Sequence, residues 1–143
     1  MPIFSGRCHC GNLHIEFDSA IAPADFEVRA CACSFCRKHG ARTVSDPNGQ
    51  ARIQVQDSAR LHRYRFALRT ADFLVCRACG VYVGAAIAVQ GKSWSTLNIN
   101  AFDQAAAFAR TAAAVRYDAE TEEQRLARRM ARWTPTEIVE DRP

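Results

Sequence analysis

Cys76-Arg77-Ala78-Cys79-Gly80 lies between two apolar runs, Phe73 to Val75 before it and Val81 to Val89 after it. Two cysteines at C-x-x-C spacing in a strand–turn–strand setting make a metal knuckle. The turn can present both thiols to one side, and the glycine behind the second accepts the positive φ that chelating turns often need. One knuckle supplies only half of a tetrahedral zinc site. The other half is Cys8-His9-Cys10-Gly11, which again sits between strand-like runs, Phe4 to Cys8 and Leu13 to Asp18. In the second run Leu13, Ile15 and Phe17 alternate with His14, Glu16 and Asp18, the period of a half-buried strand. A C-x-C pair and a C-x-x-C pair together predict one closed four-thiolate site on Cys8, Cys10, Cys76 and Cys79. Such a site would pin strands far apart in sequence, and a structural zinc can contribute ~10 kcal/mol or more of apparent folding free energy.

The remaining three of the seven cysteines stand together in Cys31-Ala32-Cys33-Ser34-Phe35-Cys36. Clustering at ligand spacing, in a chain whose first residues show no export signal, argues for metal thiolates rather than disulfides. Three thiolates leave a tetrahedral ion one free position, and open positions belong to catalytic sites. Two zinc ions per chain are therefore expected, one closed and one open. The alternative is a second closed site completed by His39, or by His14 or His62 approaching in space. Zn²⁺ with three thiolates carries a net charge near −1, which weakens it as a source of hydroxide and suits it to hold a soft thiolate. A thiol substrate follows from that chemistry, with Arg37 and Lys38 placed to attract an anionic one.

The composition fits an ordinary globular protein. The chain has 143 residues, 48% of them hydrophobic and 24% charged, which predicts one zinc-binding domain over 1–143. Its core is expected over about 4–100 and a C-terminal helical extension over 101–143. No apolar run is long enough to span a bilayer, so no membrane partner is expected and a reducing cytoplasm is the natural compartment. A net charge of +4 admits an anionic ligand without requiring nucleic acid.

Further strands are expected over Phe26 to Ala30, around Ile53 and Val55, over Leu61 to Leu68 and over Trp94 to Asn100. The alanine-rich Asp103 to Arg110 predicts a short helix, and Thr111 to Tyr117 has no clear pattern. Thr121-Glu122-Glu123-Gln124 is a capping box opening a helix with Leu126, Met130 and Trp133 on its apolar stripe, stopped by Pro135. Arg125, Arg128, Arg129 and Arg132 beside that stripe read as a solvated face, with carboxylate or phosphate binding as the functional alternative. Gly91-Lys92-Ser93 is not a phosphate loop, because Ala86 stands where the first glycine is required.

Taken together, Gly6-Arg-Cys-His-Cys-Gly11, Cys31-Ala-Cys-Ser-Phe-Cys-Arg-Lys38 and Cys76-Arg-Ala-Cys-Gly80 resemble the glutathione-dependent formaldehyde-activating enzyme family, which includes centromere protein V. The resemblance covers Gly6 to Asn100, with a weaker echo in Arg128 to Pro135. It departs at Val75, where family members often carry an aromatic residue, and it does not extend to Ala101 to Tyr117. It implies a mainly β, zinc-ribbon-derived tent or barrel of small antiparallel sheets with a C-terminal helix. It also implies structural zinc on Cys8, Cys10, Cys76 and Cys79, and a catalytic zinc on Cys31, Cys33 and Cys36. The implied reaction adds glutathione to formaldehyde, giving S-(hydroxymethyl)glutathione, formally a carbon–sulfur lyase in reverse. Two rivals keep the zinc and drop the catalysis: a protein that binds or carries glutathione or another thiol, and a zinc-stabilised module for nucleic acid or protein.

Overall fold

The computed structural model describes residues 3–140. Alternating polarity gives the first hairpin. Strands β1 (Ile3–Arg7) and β2 (Leu13–Asp18) pair antiparallel, from Arg7 opposite His14 to Ile3 opposite Asp18, and bury Phe4, Leu13, Ile15 and Phe17. Next come β3 (Arg29–Cys31), a short helix α1 (Ser34–His39) and the two-residue β4 (Thr43–Val44). Strand β5 (Gln50–Val55) runs antiparallel to β2, its Ala51, Ile53 and Val55 facing the core. An antiparallel meander follows: β6 (Leu61–Tyr64), β7 (Asp72–Cys76), β8 (Tyr82–Val89) and β9 (Lys92–Asn98). The chain ends with β10 (Ala113–Val115), helix α2 (Glu122–Arg132) and β11 (Thr134–Glu140).

All eleven strands belong to one sheet that divides at β9 and does not close. One edge of β9 pairs with β8. The other is shared: β11 takes Ser93 to Ser95, and β4 takes Leu97 and Asn98. Beyond β11 lie β5, β2 and β1; beyond β4 lie β3 and then β10. The core between these leaves draws Phe17, Ile53, Leu74, Val83 and Leu97 from different strands. This is the expected mainly β architecture with a C-terminal helix. Strand β8 is buried on both faces, as its unbroken apolar run requires. It slips register against β7 between Leu74 and Val75, a bulge next to the second knuckle.

Three local expectations are corrected. Asp103 to Arg110 does not form an α-helix; a short 3₁₀ turn at Ala105–Ala107 takes its place, after another at Ile99–Ala101. Phe102 and Phe108 both enter the aromatic core around Phe4, with ring centroids 6.5 and 5.2 Å from it. Burial of Phe108 beside Phe102 overrides alanine's propensity there. Strand β3 starts at Arg29 rather than Phe26, because Phe26 and Val28 are committed to the core from a loop that begins with a 3₁₀ turn at Pro23–Asp25. Strand β11 was not among the expected elements, and it runs parallel to β5 and antiparallel to β9. Pro135 is tolerated there because pairing with β5 begins only at Thr136. Among the described residues no helix is long and apolar enough to cross a membrane.

The β1 backbone is held against the 3₁₀ segment: Gly6 bridges Phe102, and the Asp103 amide donates to the Ser5 carbonyl at 2.8 Å. A Cβ on Gly6 would collide with the Ala101 carbonyl and lie 2.6 Å from the Phe102 Cα. Gly6→Ala is expected to destabilise the protein by about 2–3 kcal/mol, since both obstacles are backbone. The measurement is the midpoint of urea unfolding; an unchanged midpoint would show that the contact is not tight in solution.

Candidate metal centres

The first centre is built by two related turns. In the β1–β2 turn the Cys8 amide donates to the Leu13 carbonyl (2.9 Å) and the Gly11 amide to the Cys8 carbonyl (3.2 Å). In the β7–β8 turn the Cys76 amide donates to the Val81 carbonyl (3.0 Å) and the Gly80 amide to the Cys76 carbonyl (2.8 Å). Gly11 and Gly80 take φ of 87° and 83°, conformations that a side chain would strain. The two turns bring the sulfurs of Cys8, Cys10, Cys76 and Cys79 within 4.8 Å of one another. The Cys8–Cys10 and Cys10–Cys76 separations are 3.8 and 3.6 Å. Tetrahedral zinc with Zn–S bonds of ~2.3 Å spaces its sulfurs about 3.8 Å apart, so this donor set fits the ion.

The thiols of this centre do not behave alike. Burial pushes the Cys8 thiol up to about 12, against the Leu13 amide that donates to its sulfur. Burial also raises Cys79, but hydrogen bonds from the Val81 and Cys10 amides and from Cys76 and Cys8 outweigh it and leave Cys79 at about 6. Four thiols this close cannot all ionise without a cation among them. The group is suited to hold one.

The second centre is at the mouth of α1. Cys31 ends β3, Cys33 is the N-cap of α1, and Cys36 lies in its first turn. Their sulfurs also lie within 4.8 Å of one another. Hydrogen bonds from Cys31 and Cys36, then from the Cys36 and Phe35 amides, hold the Cys33 thiol far below its usual range. Contacts with Cys31 and Cys33, then burial, push Cys36 up, and the bond to Cys33 raises Cys31. The Cys33 sulfur is seated where the Cys36 amide donates to it at 3.4 Å, a contact that favours its ionised form. Among the described residues no histidine joins this group. His39 instead places Nδ1 3.0 Å from the Phe35 carbonyl and rests its ring on Phe35.

Beside Cys31 and Cys33 opens a cavity of about 260 Å³, walled by Phe66, Phe73, Thr70 and arginines of α2. A smaller cavity of about 60 Å³ touches Cys31, Cys36 and Tyr82. The Phe66 loop includes Ala67 and Arg69 at φ of 52° and 56°, left-handed positions for non-glycine residues. The arginines depart furthest from the solvated face expected of them. Arg129 is only 7% exposed, whereas Met130, expected in the apolar stripe, is 39% exposed. Arg128 grips Glu120 with two bonds of 2.8 and 3.1 Å and lies 3.5 Å above the Tyr117 ring. Arg129 donates to Thr70 Oγ1 at 2.8 Å and sits over Trp133, and burial, then Arg128 and Arg125, pushes its pKa down to about 10. Arg37 and Lys38 stay exposed and do not line the cavity.

Residues 3–119 match the family described as glutathione-dependent formaldehyde-activating enzyme. The match includes Ala101 to Tyr117, which the cysteine motifs do not reach, and stops before α2. The fold is similar to a crystal structure of a Rhodobacter sphaeroides protein at 31% identity, over 70% of this chain and 88% of that one, with a TM-score of 0.52.

The two centres should respond differently to loss of one sulfur. Cys79→Ser removes a ligand from the set joining two remote turns and should leave the domain largely unfolded. Cys33→Ser should keep a wild-type melting profile while losing metal from the α1 centre alone. Metal analysis together with thermal unfolding checks both variants; equal loss of metal in the two would show that the clusters are not independent.

Proposed function

The chain belongs to the glutathione-dependent formaldehyde-activating enzyme family, and from that premise we propose that it joins a thiol, glutathione, to an aldehyde, formaldehyde. The observation that carries the proposal is the cavity of about 260 Å³ opening onto Cys31 and Cys33. A substrate there reaches a three-cysteine group that lacks a fourth protein ligand among the described residues. Cys8, Cys10, Cys76 and Cys79 would hold the structural zinc and Cys31, Cys33 and Cys36 the catalytic one. Zinc bound to three thiolates would supply a soft seat that favours sulfur and lowers the pKa of a thiol.

The chain's own residues do the rest. Cys33 fixes its sulfur at the start of α1, and Phe66 and Phe73 form an apolar wall that limits water around the reacting sulfur. The confined volume brings thiol and aldehyde together, converting a two-body encounter into a local one. The substrate sulfur bonds the aldehyde carbon, and the proton given up by the thiol ends on the former carbonyl oxygen. The product, S-(hydroxymethyl)glutathione, contains all the atoms of both reactants, and no redox partner is needed.

NMR exchange between free and adduct glutathione in the presence of formaldehyde tests this directly. The wild-type protein should raise the exchange rate above the uncatalysed background, and Cys33→Ser should return it to that background. Binding of glutathione without acceleration would favour the carrier reading instead.

A further inference from the structure

The cavity beside Cys31 and Cys33 is lined by four arginines, Arg116, Arg125, Arg128 and Arg129, against one carboxylate, Asp118. Two of the four share one carboxylate. Arg128 forms the two-bond pair with Glu120, and Arg125 lies 3.7 Å from the same carboxylate while donating to the Tyr117 carbonyl. Among the described residues, the other two have no anionic partner. Arg116 is exposed at the rim. Arg129 is buried and lines both cavities that touch the cysteines; its Nε, like that of Arg125, finds no hydrogen-bond acceptor, but Arg129 has no carboxylate within ion-pair distance among the described residues. Leaving a guanidinium buried without an anion is costly, and its remaining donors form a planar fork suited to a carboxylate. A carboxylate in the cavity would supply the missing anion.

We propose that Arg129, assisted by Arg116 at the rim, binds a carboxylate of the thiol substrate and so selects acidic thiols over neutral ones. The inference rests on the thiol-binding reading above. It assigns specificity to α2, which lies outside the 3–119 stretch that defines family membership. The two anchor points are then distinct: the sulfur goes to the cysteine group, and the carboxylate goes to the arginine wall across the same cavity.

Calorimetry with three probes separates the two anchors. Wild-type protein should bind glutathione about tenfold more tightly than its diethyl ester, the effect of one charge-assisted contact. Arg129→Met should fold with an unchanged or higher melting temperature, because it removes an unpaired buried charge. It should also abolish the preference for the acid while leaving ester affinity as it was. Arg116→Gln, at an exposed position, provides a second variant and should shrink the preference by roughly two- to threefold. Equal weakening of acid and ester in Arg129→Met would mean that Arg129 serves only to balance the cysteine cluster, and would overturn the proposal. So would equal affinity of the wild type for acid and ester. S-methylglutathione keeps the carboxylates and blocks the thiol. If it binds as well as glutathione, and loses affinity in Arg129→Met, the carboxylate site stands and the thiol-binding reading falls.

Discussion

Two turns whose facing cysteines are 66 residues apart meet in this fold, with the Cys10 and Cys76 sulfurs 3.6 Å apart. The first turn joins the strands at one end of the sheet path, and the second joins strands of the branch beyond β9. One ion shared by the four sulfurs would tie these leaves at their ends, leaving the apolar core to fill the space between. Closing so long a loop is entropically costly, and a metal bond set is strong enough to offset it. The two glycines at positive φ show how specialised the turns are for that task.

The second cluster uses the same residue type to a different end. It sits at a strand-to-helix junction rather than a strand hairpin, with only three sulfurs and an adjacent cavity. Its surroundings are shaped by charge. Thiols at the mouth of α1 share a cavity with arginines from α2, and Glu120 pairs with two of these, Arg125 and Arg128. Arg129, the most buried of them, has no carboxylate partner among the described residues. Stability alone would favour an apolar side chain there, and the departure from that preference is what ties the arginine wall to binding rather than to folding.

Much of this is legible in the chain. The knuckles are readable because chelation demands fixed spacing and glycine, and β2 is readable because period-2 alternation is strict from Leu13 to Asp18. The capping box locates the start of α2 for the same reason, a local bond pattern between Thr121 and Gln124. What escapes depends on distant partners. Helix α1 is capped by a cysteine, which is not a usual cap signal, and β11 is a strand only because β5 and β9 leave a gap for it. Arg129 reads as outward-facing because charged residues usually are; its burial follows from a cavity that α2, β3 and the Phe66 loop make together. The spacing of Leu126, Arg129 and Trp133 on one helix face is the clue that the sequence offers.

The central claim is that one cluster is closed by four cysteines and the other is left open for a substrate sulfur. X-ray absorption at the zinc edge, on protein with and without glutathione, tests it most directly. The predicted result is four protein sulfurs around one metal and three around the other in the free protein, with an added sulfur at the second centre once the thiol is present. An unchanged sulfur count on adding glutathione, or a second centre already saturated by protein ligands, would contradict it.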